Sequence, residues 1–104
     1  MKTSTQNLHQ KLLTLVKQER VLLTQILDHL AEINRGKLFL EFKCDSLLKY
    51  CIQELGYSES AAYRRIKALR ITEEIPETKT AIQNGELNLS QLSMAQGLFE
   101  SARN

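Results

Sequence analysis

Side chains able to bind phosphate or touch base edges gather between residues 58 and 70: Ser58, Ser60, Tyr63, Arg64, Lys67 and Arg70. Arginine and lysine neutralise phosphate oxygens or pair with the O6 and N7 acceptors of guanine. Serine and tyrosine hydroxyls add short-range hydrogen bonds. At 100° per residue, Ala62, Ile66 and Leu69 fall on one face of a helix, and Ser60, Arg64 and Lys67 fall on the opposite face. Tyr63 and Arg70 flank the basic face, while Arg65 lies nearer the core edge. A solvated charged face on an ordinary helix has the same residue types. The segment before the cluster is what favours a nucleic-acid reading.

That segment reads as a short amphipathic helix followed by a tight turn. Asp45 or Ser46 can cap its start, and Leu47, Leu48, Cys51, Ile52 and Leu55 recur at helical spacing. Gly56 follows as a left-handed C-terminal residue, and Ser58 then caps the basic helix with Glu59 at its positive end. Small Ala61 and Ala62 permit close approach to the preceding helix. Helix, glycine turn and basic helix over residues 45–71 form the pattern of a helix-turn-helix, whose second helix enters a DNA groove.

The rest of the chain must position this unit. Residues 1–6 read as frayed, and Asn7 to Asn34 as one long helix. Leu8, Leu12, Leu15, Leu22, Ile26, Leu30 and Ile33 approximate a heptad seam, interrupted where Glu19 stands. Leu13, Val16, Leu23 and Leu27 form a second apolar strip. One strip can cover the helix-turn-helix and the other invites a partner helix, so a homodimer through this helix is one expectation. Burial of both strips within one chain is the other. Gly36 reads as the helix's C-terminal cap, and residues 37–42 as a short helix. Thr72 to Pro76 reads as a junction. Pro76 opens a helix that Gly85 ends, and Asn88 caps a last helix from Leu89 to about Ser101, placing C-terminal helices over 76–101. Met94 and Phe99 read as core.

Composition sets the class. With 104 residues, 42% hydrophobic and 25% charged, the chain is expected to fold as a single helical domain over 1–104; four Gly and one Pro favour an all-α fold. The net charge of +2 is small, but it is unevenly spread. Residues 35–70 hold eight basic and four acidic side chains, whereas residues 71–104 hold two and five. Cys44 and Cys51 lack a CxxC spacing, and His9 and His29 lie twenty residues apart, so neither a metal site nor any cofactor is expected. Cys51 reads as core and Cys44 as near the surface. No signal peptide, transmembrane run or densely basic aromatic face is seen, so no membrane partner is expected and the cytoplasm is inferred. Glu73-Glu74 reads as helix-terminal charge, and no catalytic constellation stands out, so no enzyme activity is expected.

Two resemblances arise on these residues. Leu55-Gly56-Tyr57-Ser58, Ile75-Pro76-Glu77 and Gly85-Glu86-Leu87-Asn88-Leu89-Ser90 resemble the helix-turn-helix domain of ParB-type partition proteins, where a similar turn opens a recognition helix. Glu19-Arg20, His29 to Ile33, Arg35, Ser46 to Cys51, Leu55 to Glu59 and Ala62 to Ile66 are similar to the N-terminal region of bacterial HNH-endonuclease-like proteins. Gly36 and Phe42-Lys43-Cys44 depart from that second pattern, and no HNH motif occurs, so that family's catalytic residues have no matching positions. The resemblances imply a helix-turn-helix module on double-stranded DNA, either a regulator or the DNA-engaging part of a nuclease-like system. A helical protein–protein interaction module without DNA binding is the alternative, and the acidic last third fits it.

Overall fold

The computed structural model describes residues 2–94, and within them every regular element is a helix. α1 runs Thr3–Arg35, a 3₁₀ helix follows at Leu38–Phe42, and then come α2 (Leu47–Gln53), α3 (Glu59–Glu74) and α4 (Glu77–Gln83). Residues 89–94 begin a further helix. Leu98, Phe99 and Ser101, expected in that last helix, lie outside the described residues.

α1 holds neither Gly nor Pro over 33 residues, so nothing interrupts its hydrogen-bond ladder. It starts at Thr3, so residues 3–6 are helical rather than frayed. Its two halves have different fates. The second half buries Thr24, Leu27, Leu30 and Ala31 against α3 and α4. Residues 2–20 are exposed throughout. Neither apolar strip covers α2 and α3 along its full length. The free half stretches the molecule to a radius of gyration of 16.3 Å, against ~13 Å for a compact chain of this size.

The core is small and tightly drawn. Leu27, Cys44, Cys51, Ala62, Ala68, Ile82 and Leu92 are each at most 1% exposed. The fully covered Ala62 and Ala68 let α3 approach its neighbours closely, and a larger side chain at either site would overpack the contact. Thr24 adds a polar tie. Its hydroxyl donates to the Val21 carbonyl at 2.7 Å and accepts from the Gln83 amide at 3.0 Å, joining α1 to α4. Lys79 and Asp28 pair across the same two helices at 2.6 Å.

Gly36 caps α1 as expected, with φ −87°, and the left-handed Lys37 (φ 51°) and Lys43 (φ 61°) bracket the 3₁₀ helix. Other local expectations need correction. The left-handed bend at Lys43 turns the next residue inward, so Cys44 is 1% exposed rather than near the surface. Its Sγ lies 3.6 Å from both the Phe42 carbonyl and Gln53 Oε1. α3 continues through Thr72, which is buried, to Glu74, so the junction begins later than Thr72. Pro76 stands at the N-cap of α4 rather than inside its first turn. Met94 is 70% exposed, because Leu89 and Leu92 take the inward side of the last helix.

Candidate nucleic-acid interface

The turn between α2 and α3 is built as its residues dictate. Ser46 Oγ accepts the Lys49 N–H at 3.1 Å and opens α2. Gly56 has φ 79°, and the next residue's N–H reaches back to the Cys51 carbonyl at 3.1 Å, closing the helix. Ser58 Oγ accepts the Ala61 N–H at 3.2 Å and opens α3. The expected Ser58 is thus a cap whose oxygen already holds a backbone donor. It also lies 3.5 Å from Ser60 Oγ.

Arg65 locks the turn to the helix. Its guanidinium carbon stands 4.3 Å from the centre of the Tyr57 ring, and Nη1 donates to the Ala61 carbonyl at 3.0 Å. Its Nε is buried with no hydrogen-bond partner. Beneath it, burial pushes the Cys51 thiol above its ordinary pKa, and the positive charge of Arg65 offsets part of that rise. Arg65 therefore belongs to the core edge, where its angle on the helix put it.

On the outer side of α3, Ser60, Tyr63, Arg64 and Lys67 line one open groove of about 520 Å³ together with Glu59 and Ser93. Lys67 Nζ sits 5.3 Å from the centre of the half-exposed Tyr63 ring, so the ring steadies the ammonium. Ser58 and Arg70 do not line this groove, although both are exposed. Four of the six expected residues thus share a surface.

Two contributors were missed from sequence. Ser93 enters from the last helix, where its Oγ donates to the Arg64 carbonyl at 3.4 Å. Arg20, on α1, meets Arg64 and Arg65 along an adjoining cleft that also includes Gly85, Asn88 and Ser90. Neither follows from periodicity, because both depend on where the last helix lies. Asn88 caps that helix as expected. Asn88 Oδ1 accepts the Gln91 N–H and Gln91 Oε1 accepts the Asn88 N–H, each at 2.9 Å.

Among the described residues no group of three or more His, Cys, Asp or Glu side chains is placed to hold a metal ion, and no helix is long and apolar enough to cross a membrane. No protein-family model matches the sequence, and no curated protein or solved structure matches it.

Proposed function

We propose that this chain is a DNA-binding helix-turn-helix module, with α2, the Gly56 turn and α3 as the motif. One observation carries the reading: Ser60, Tyr63, Arg64 and Lys67 share an exposed groove on the helix that follows a glycine turn. Arg64 and Lys67 supply phosphate or guanine contacts, and Ser60 and Tyr63 supply hydroxyls. Arg20 adds a cation along the adjoining cleft, and Arg70, exposed on α3, adds another. Ser58 acts by fixing the start of α3. The partner is double-stranded DNA, met in the cytoplasm, where Cys44 and Cys51 stay as thiols. The module serves as a regulator or as the DNA-engaging part of a nuclease-like system, and it works as a homodimer through α1, which sets two α3 helices on one duplex.

The test is binding to mixed-sequence duplex DNA over a range of salt. The expected result is an affinity that falls steeply as salt rises and that drops further in Arg64→Ala and Lys67→Ala. Undiminished binding by both variants refutes the assignment. The second reading, a protein-interaction module without DNA binding, draws on the exposed leucines in the first half of α1. It predicts no duplex affinity at any salt.

A further inference from the structure

We infer that the occupant of the uncovered α1 face is a second copy of this chain, laid antiparallel so that each copy's free leucines fill the groove beside the other's body. This deepens the proposed function by fixing how the homodimer forms. Leu8, Leu12, Leu15 and Leu22 are 53–61% exposed, and with Ile26 and Ile33 they recur at alternating steps of three and four residues, apart from the Glu19 and His29 positions. This seam lies about a third of a turn from the Thr24/Leu27/Ala31 side that α1 buries in its own core; its Leu8, Leu12, Leu15 and Leu22 stay exposed, while Ile26 and Ile33 are partly buried against the body.

The seam has two unlike ends. Its first part is bare helix. Its second part forms one wall of an apolar groove of about 450 Å³, whose other wall is Tyr50, Leu55 and Tyr57. Leu55 is 45% exposed in that wall. A parallel pair sets bare helix against bare helix, leaves both grooves open and places Glu19 against its own copy. An antiparallel pair matches each end to the other's. With the two-fold axis between residues 20 and 21, Leu8 meets Ile33 of the second copy, Leu12 meets His29, Leu15 meets Ile26, and Glu19 meets Leu22. The overlap is then ~39 Å long.

Flanking charge fits the same register. Lys11 comes within a turn of Glu32 of the second copy, and Gln18 falls near Gln25 of the second copy. In the parallel register the corresponding flanks pair Lys11 with Val16 and Gln18 with Leu23, with no opposite charges to match. The two like-charged Glu19 residues, which face each other in the parallel pair, are separated and set beside the partner's aliphatic Leu22 in the antiparallel one.

Sedimentation equilibrium and native mass spectrometry of the full chain, without DNA, test this independently of the α3 face. The parent is expected at twice 11.9 kDa. Leu12→Glu is expected to be monomeric with unchanged helical circular dichroism, because Leu12 is 53% exposed in the single chain. The double variant L12E/H29K is expected to dimerise again, since the antiparallel register brings its two new charges together twice. A parallel pair would instead oppose like charges at both positions. A monomeric parent, a dimeric L12E, or a double variant that stays monomeric each overturns the inference. None of these outcomes bears on whether α3 binds duplex DNA.

Discussion

The central guanidinium carbon of Arg65 lies 4.3 Å from the centre of the Tyr57 ring, tying the residue before the α3 cap to the second turn of α3. Tyr57 sits in the turn and Arg65 on the helix, so this contact sets the angle at which the basic face leaves the body. It is also a cationic group withdrawn from the outer surface. Arg65→Ala is expected to lower unfolding free energy by about 1–2 kcal/mol, from the lost stacking and the lost bond to the Ala61 carbonyl. Denaturant titration measures this. Duplex affinity of the folded variant should change far less than in Arg64→Ala.

Arg64 and Lys67 reach solvent on the far side of the same helix. If either contacts phosphate alone, its alanine variant should weaken all duplexes about equally and reduce the salt slope by about one. If either pairs with guanine, the loss should be ~1–3 kcal/mol and confined to duplexes with that base. Affinity measured on two unrelated duplexes at several salt concentrations separates the cases. Thermal midpoints should stay at the parent value, since both side chains project away from Ala62, Ile66 and Leu69.

Two glycines share a left-handed backbone and differ in their surroundings. At Gly56 (φ 79°) an added Cβ meets nothing within 4 Å, so only backbone strain opposes substitution. Gly56→Val should cost about 1 kcal/mol or more, and Gly56→Asn clearly less, because Asn tolerates this conformation. At Gly85 (φ 80°) an added Cβ would stand 2.7 Å from the Arg20 guanidinium carbon. Gly85→Ala should therefore carry similar strain and also displace Arg20 from the cleft it shares with Arg64. Thermal melts report the first effect, and salt-dependent duplex binding the second.

Cys51 should make stability fall at alkaline pH. Burial raises its folded-state pKa above the ordinary 9.0, whereas the unfolded thiol keeps the ordinary value. Its contribution is thus fully present below that value and is lost as pH climbs toward the raised one, because only the unfolded state can ionise freely. Denaturation midpoints from about pH 7 to pH 10 should decline more steeply for the parent than for Cys51→Ala. Equal slopes would mean the thiol is solvated in the folded chain.

The sequence told most where a rule is local. Ser46, Gly56, Ser58 and Gly85 act as caps and turn residues because their chemistry satisfies nearby backbone groups, which needs no knowledge of the rest of the chain. The same logic placed Arg65 near the core by its helical angle. It failed where the path of the chain decides. Cys44 lies between Lys43 and Asp45 and looked superficial, but the left-handed Lys43 turns it inward. Ser93 meets Arg64 only because the last helix crosses beside α3, 29 residues away in sequence. The two leucine strips of α1 were visible, but only the packing tells which half of the helix the body leaves bare.

That bare half has a hydrodynamic consequence. A body with extents of 53 × 33 × 20 Å sweeps out more volume than a sphere of equal mass. It will elute early from a sizing column and give a frictional ratio well above that of a compact protein. An antiparallel pair, with each arm folded along the other's body, adds mass more than length. The step from one chain to two should therefore raise the sedimentation coefficient strongly while changing the elution volume comparatively little.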